Sequence, residues 1–144
     1  MSQDEIYAAI PHRPPFLLVD EIVERNDKRI RCRKTFKPDE WYFAGHYPGH
    51  PIAPGVILCE AAMQAGAILL SQFRPPLDRG LPVAARMNDV RFKRIIRPGE
   101  TIDIEVELTE QVAKAWFLRA KVSCGGQVAV RFDFACAIAP TPTP

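Results

Sequence analysis

The chain has 144 residues, of which 47% are apolar and 25% charged, an ordinary balance for one soluble globular domain with a sizeable core. Its net charge of +2 is too small to imply a nucleic-acid partner by itself. Four cysteines, Cys32, Cys59, Cys124 and Cys136, show no CxxC spacing and read as reduced, structural residues of a cytoplasmic protein. The first residues, Met1-Ser2-Gln3-Asp4-Glu5, lack the charged-then-apolar order of a signal peptide.

In chain order, residues 4–10 read as a short helix ending before Pro11. Phe16 to Val23 and Arg29 to Lys37 read as strands joined by a polar turn at Asn26-Asp27. Next come Pro48, Pro51 and Pro54, which fix φ and remove three backbone donors, so this stretch is a loop. From Val56 to Phe73 the chain is apolar nearly all round and rich in Ala, Leu and Met. That composition and length predict a buried helix, with Pro54 suited to its first turn. The stretch is short and interrupted for a membrane span, and Glu60 and Gln64 argue further against one. Arg74-Pro75-Pro76-Leu77-Asp78-Arg79-Gly80 then breaks the helix.

The second half reads as strands. Ile102, Ile104, Val106 and Leu108 alternate with Asp103, Glu105, Glu107 and Thr109. Trp116, Leu118, Ala120 and Val122 alternate with Phe117, Arg119, Lys121 and Ser123, and Val128 to Phe134 alternates likewise after a hairpin at Gly125-Gly126. Such strands are half-buried and antiparallel, and acidic side chains of one are positioned to face basic ones of the next. One apolar helix with several antiparallel strands defines an α+β fold, a curved sheet wrapped around the helix, over residues 1–139. The tail 140–144, Pro-Thr-Pro-Thr-Pro, has nothing to bury and is expected to be disordered. A helix apolar on all sides needs more cover than one small sheet supplies, so a dimer or larger homo-oligomer is expected.

Within the proline loop and helix start, His46 and Glu60 stand fourteen residues apart with no other charge between them except His50. A base and an acid in apolar surroundings point to proton chemistry on a small molecule. Glu60 needs a hydrogen-bond partner or its proton, and Gln64, four residues on, shares its helix face. Gly55 leaves a backbone N–H open to close approach by a ligand. His46 and His50 have the spacing of a helical metal pair, but Pro48-Gly49 between them opposes a helix and no conventional third ligand lies nearby, so no metal site is expected. Two basic clusters, Lys28-Arg29-Arg31-Arg33-Lys34 and Arg91-Lys93-Arg94-Arg97, read either as solvated strand faces or as a docking patch for an acidic partner.

The chain resembles the beta-hydroxyacyl-[acyl-carrier-protein] dehydratases of type II fatty acid synthesis, which have the hot-dog fold. The resemblance spans roughly residues 5–138 and rests on three motifs in order. They are Ile10-Pro11-His12-Arg13-Pro14-Pro15-Phe16-Leu17-Leu18-Val19-Asp20, then Phe43-Ala44-Gly45-His46-Tyr47-Pro48-Gly49-His50-Pro51-Ile52-Ala53-Pro54-Gly55-Val56 continuing to Glu60 and Gln64, then Val90-Arg91-Phe92-Lys93-Arg94 with Arg97-Pro98-Gly99-Glu100. It implies that His46, not His50, is the base and Glu60 the acid, a Glu resembling the branch that only dehydrates. It also implies a site shared across a dimer, a trimer of dimers as assembly, no cofactor, and acyl carrier protein bearing a 4'-phosphopantetheine-linked acyl chain as partner. Gly55 and Val56 would bind the thioester oxygen, Gln64 would orient Glu60 or a product water, and Arg91, Lys93, Arg94 and Arg97 would dock the carrier. Two departures bear on acyl-chain length and tunnel gating. The segment Pro82-Val83-Ala84-Ala85-Arg86-Met87-Asn88 lacks the family's aromatics and has Arg86 in place of a glycine, and Ala53 stands where Met is usual. A thioesterase of the same fold and a non-catalytic carrier-binding paralogue are the alternatives.

Overall fold

The computed structural model describes residues 3–73 and 80–139, apart from the side chains of Leu81 and Pro82. The proline-rich break at 74–79 and the tail 140–144 lie outside the described residues. Helix α1 (Gln3–Ala9) precedes strands β1 (Glu21–Arg25) and β2 (Arg29–Thr35). Helix α2 (Gly55–Leu70) follows, then β3 (Leu81–Phe92), β4 (Thr101–Val112), β5 (Ala115–Cys124) and β6 (Gln127–Ala139). The strands form one six-stranded sheet in the order β1-β2-β4-β5-β6-β3, and every neighbouring pair is antiparallel.

Helix α2 packs against five of the six strands, and its buried residues run all the way round it, from Ile57 and Leu58 to Leu69 and Leu70. The inward positions of β4 and β5 are Ile102, Ile104, Val106 and Trp116, Leu118, Ala120, Val122, all buried. This is the helix wrapped in a curved sheet, the hot-dog arrangement. Gly66 lets the helix approach closely: a Cβ there would lie 2.7 Å from the Phe134 ring and 3.4 Å from Leu118. Gly125 and Gly126 have φ of 57° and 80°, the two positive values that a tight hairpin between β5 and β6 demands.

Several boundaries differ from the sequence expectation, and the second strand ends at Thr35 rather than Lys37. The first strand starts at Glu21 rather than Phe16. The N–H groups of Phe16 and Leu17 are spent on the Arg13 carbonyl, and that of Leu18 on the Gln64 side chain, so they cannot join a ladder. The helix stops at Leu70 rather than Phe73, because the Ser71 N–H and hydroxyl both turn back to the Ile68 carbonyl.

The outer face of the sheet is charged. Arg31–Glu24, Arg33–Asp103, Arg29–Glu107, Lys121–Glu105 and Arg119–Asp133 form ion pairs. The first basic cluster is therefore largely neutralised, and its Lys34 is not on the surface at all but buried against Glu40. At one edge of the sheet, β3 leaves Val83, Met87 and Phe92 exposed. Among the described residues, no helix is long and apolar enough to cross a membrane.

Replacing Gly66 with Leu forces side-chain atoms into the Phe134 ring. Urea unfolding of Gly66→Leu is expected to show a loss of about 1–3 kcal/mol, the usual cost of overpacking. Unchanged stability would mean that the helix does not sit this close to the sheet.

Candidate functional site

His46 is carried by the loop between β2 and α2, and that loop is anchored by a buried polar network. Lys34 Nζ lies 2.7 Å from Glu40 Oε1, which also accepts the Tyr42 hydroxyl at 3.0 Å. Glu40 Oε2 accepts the Lys37 N–H at 2.7 Å. Burial and the neighbouring Glu40 push the Tyr42 phenol well above its ordinary range, so it stays a donor. Phe36 meets Tyr42 and Phe43 edge-on and closes the apolar side of the anchor. From there the His46 N–H reaches the Phe43 carbonyl, and the His46 carbonyl accepts the Ile52 N–H.

The imidazole has one defined orientation. His46 Nδ1 lies 3.0 Å from the Ile52 carbonyl oxygen, which can only accept, so Nδ1 carries the hydrogen and Nε2 bears the lone pair. The ring stacks on Tyr47 with centroids 4.2 Å apart. His50 sits in an exposed turn closed by reciprocal backbone bonds with Tyr47.

A cavity of about 480 Å³ opens beside His46, bounded by Ala53, Gly55, Val56, Phe92 and Arg94 among others. Gly55 is needed there, since a Cβ at this position would lie 2.5 Å from the Phe92 ring. Pro54 is the N-cap of α2, and its carbonyl accepts the Ile57 and Leu58 N–H groups. The N–H groups of Gly55 and Val56 make no hydrogen bond among the described residues, so the positive end of the helix faces this cavity with donors to spare.

Glu60 is not in that cavity. It stands one turn beyond Val56 on the same helix, and its carboxyl turns to Gln64. The structure thus lines one cavity with His46, Gly55 and Val56 and holds Glu60 with Gln64 outside that lining. Gln64 is 1% exposed and fully used. Its Oε1 accepts the Leu18 N–H at 2.8 Å, and its Nε2 donates to the Phe16 carbonyl at 2.9 Å and to Glu60 Oε2 at 3.0 Å. Sequence reasoning missed a third member of this group. His12 Nε2 lies 3.9 Å from Glu60 Oε2, and both side chains are 26% exposed. Burial pulls the His12 imidazole below its ordinary range, against the opposing pull of Glu60. His12 lies within a quoted motif, but 48 residues of separation from Glu60 leave no periodic signal of contact.

The second basic cluster divides. Arg94 Nη2 is 2.9 Å from Glu100 Oε2 and its Nε bonds Gln127, while Glu100 Oε1 accepts the Arg97 N–H. The Arg94 guanidinium, with the Arg97 N–H, holds the Glu100 carboxyl below its usual range. Arg91 and Lys93 line a groove of about 750 Å³ on the outer face of the sheet, and Lys93 also reaches the His46 cavity. Asp103, Glu105 and Glu107 pair with Arg33, Lys121 and Arg29, so they do not neutralise this cluster. All four cysteines are free and buried.

Comparison with known proteins gives this site its class. A family model described as a FabA-like domain matches residues 10–133. The chain belongs to the FabA-like family, on the side of the 3-hydroxyacyl-[acyl-carrier-protein] dehydratases. One such relative, named FabZ, from Magnetococcus marinus, is 39% identical over 131 residues, covering 90% of this chain and 86% of its own. Another FabZ, from Chloroflexus aggregans, is 46% identical over 109 residues, 75% of each chain. Among solved structures, the dehydratase heterocomplex ApeI:P from Xenorhabdus doucetiae superposes with a TM-score of 0.78 over 94% of this chain and 91% of that one. At 22% identity, that likeness speaks for the fold alone.

Replacing Gln64 with Leu keeps the volume but orphans the Leu18 N–H and the Phe16 carbonyl. Each buried unpaired group costs about 1–3 kcal/mol, so equilibrium unfolding of Gln64→Leu is expected to lose at least about 2 kcal/mol. A variant as stable as the parent would remove Gln64 as the tie between the N-terminal segment and α2.

Proposed function

We propose that the protein dehydrates 3-hydroxyacyl thioesters carried on acyl carrier protein, giving trans-2-enoyl thioesters for fatty acid synthesis. The observation that carries this reading is the orientation of His46. Its Nδ1–H is committed to the Ile52 carbonyl, and its Nε2 lone pair stands beside a cavity at an open helix N-terminus. Nε2 removes the α-proton. Negative charge moves onto the thioester oxygen, where the Gly55 and Val56 N–H groups offer donors; one such donor is worth about 3–4 kcal/mol in related oxyanion sites. Glu60, oriented by Gln64, gives its proton to the departing hydroxyl, and each proton transfer contributes about 10²–10⁴-fold. No metal or redox step enters this scheme.

Glu60 is not among the residues that line the His46 cavity, so this reading assigns the acid of each site to Glu60 of a second copy. The unpaired edge of β3 supports such a dimer, with Val56 69% and Phe92 55% exposed beside the cavity and Ile95 exposed as well. Three such dimers would make the expected hexamer. Ala53, in place of the usual Met, lines the cavity next to His46, and the altered segment 83–88 lies on the exposed edge strand. Both are therefore positions where acyl-chain length would be set.

His46→Ala and Glu60→Gln are each expected to lower dehydration of a 3-hydroxybutyryl thioester by at least about 10²-fold in folded protein. His50→Ala should cost far less. Mixing and refolding the two inactive variants should restore activity, because a mixed dimer holds one intact His46–Glu60 pair. Release of free thiol instead of enoyl product would establish a thioesterase, and no turnover by the parent a binding subunit. No recovery on mixing would defeat the shared site.

The acidic carrier would be drawn by the basic residues that have no acidic partner among the described residues, Arg91, Lys93 and Arg97, with Arg94 held by Glu100 as a fixed part of the rim. Arg97→Glu is expected to lower kcat/KM about tenfold for carrier-borne substrate and to flatten its salt dependence, while a small thioester mimic is turned over at the parental rate. The contrast follows from screening of exposed charges over about 8–10 Å at physiological salt. Equal losses on both substrates would indicate structural damage and end the docking reading.

A further inference from the structure

We propose that His12 is a positioning residue that acts through Glu60: imidazole and carboxyl hold one proton between them, and the pair, rather than Glu60 alone, is the acid of the reaction. The inference rests on Glu60 being the proton donor, as proposed above. It starts from a difficulty in that reading. An ordinary carboxyl has a pKa near 4.3 and has lost its proton at neutral pH, yet a general acid must still hold it. Glu60 is not sealed from water, and the amide that orients it donates a hydrogen to its Oε2. Something else must keep a proton at this position.

His12 is placed to do so. Its Nε2 is 3.9 Å from Glu60 Oε2, too far for a formed hydrogen bond but within direct charge contact. Its Nδ1 is buried and has no hydrogen-bond partner among the described residues. The contrast with His46 is informative. There a backbone carbonyl commits Nδ1–H and fixes the tautomer. Here nothing commits Nδ1, so Nε2 is free to be either donor or acceptor toward the carboxyl. The charged groups acting on His12 are Glu60 from α2 and Arg13 from its own loop. Arg13 is turned away, with its guanidinium on the carbonyls of Tyr7, Ile10 and His12 and over the Tyr7 ring. Burial disfavours the imidazolium, against the opposing pull of Glu60.

In the proposed pair the proton is lost only when both sites have given it up. The proton balance closes over one turnover. Glu60 delivers the pair's proton to the departing hydroxyl, which leaves as water. His46 has taken one proton from the α-carbon, and that proton returns through solvent to the emptied pair. No oxidant, reductant or further reactant is needed.

The test compares the pH dependence of kcat/KM for a 3-hydroxybutyryl thioester in the parent and in His12→Gln, which keeps a nitrogen near the Nε2 position but never titrates. The alkaline limb reports loss of the acid's proton. It is expected to move to lower pH by at least about one unit in His12→Gln, a tenfold loss at a fixed pH on that limb, with activity returning as the pH is lowered. The acid limb, which belongs to the base, should stay in place. A purely structural role would lower the rate at all pH values alike, and an unmoved alkaline limb in folded His12→Gln overturns the proposal. A second measurement needs neither turnover nor a variant: NMR titration of the Glu60 side-chain carboxyl carbon and the His12 ring in the parent. Shared inflections support the pair, and independent titration of the two groups overturns it. If His46→Ala and Glu60→Gln retain full dehydration, the underlying reading has failed, whatever the NMR titration shows.

Discussion

A single amide holds the acidic half of this molecule together. Helix α2 is buried over most of its surface, and the half-buried carboxylate on it takes a partner from inside the protein. Gln64 does this and also fastens the segment around Phe16 and Leu18 to the helix. The orientation of the amide is fixed by its surroundings. Its oxygen faces an N–H and its nitrogen faces a carbonyl and a carboxylate, so the flipped amide would lose all three bonds. The same bonds take Leu18 out of any strand and lead the preceding chain back past the helix, which is how His12 comes to lie beside Glu60. One side chain thus sets a local backbone path and the composition of the site.

The outer face of the sheet obeys a different constraint. Along one row of directly opposed residues the charges run Glu24, Arg31, Glu105, Lys121, Arg131, Arg91. Signs alternate across the first four positions and then fail, leaving three cations side by side. Each exposed ion pair contributes only about 0.2–1 kcal/mol. Their value lies in register, since a slip of one residue would put these charges on the core face. The uncompensated end of the row falls on β3, the exposed edge strand, and Arg91 there is among the residues proposed to meet an acidic carrier. Like charges directly opposite are destabilising, and an anionic partner would relieve that repulsion.

How far the sequence could be read depended on whether the signal was local. Strands β4, β5 and β6 were legible because alternation follows from a sheet with one wet face, and α2 was legible because a largely apolar stretch of eighteen residues, rich in Ala and Leu, leaves few other choices. The candidates His46, Gly55 and Val56 line one cavity because the proline loop joins His46 directly to the helix start. The beginning of β1 was not legible, since what removes Leu18 from the ladder is a side chain 46 residues away. Nor was the place of His12, which depends on that same contact. Lys34 is instructive in another way. It was grouped with surface cations, yet it shares the parity of Ile30 and Cys32, the inward positions of β2, and Arg29, Arg31 and Arg33 have the other. The alternation already placed it inside, where Glu40 satisfies it and the pair steadies the loop that carries His46.

The two ends of the proposed reaction ask for opposite physical properties. A base that attacks a carbon-bound proton must present its lone pair in one direction, and His46 is oriented by a backbone carbonyl, a group that does not titrate near neutral pH. That keeps its tautomer the same whatever the charge state of the rest of the site. An acid that must be recharged in each turnover needs a neighbour through which protons can pass, and Glu60 has an imidazole beside it with one ring nitrogen uncommitted. Fixing the first histidine and leaving the second free is a division of labour that follows from their partners alone.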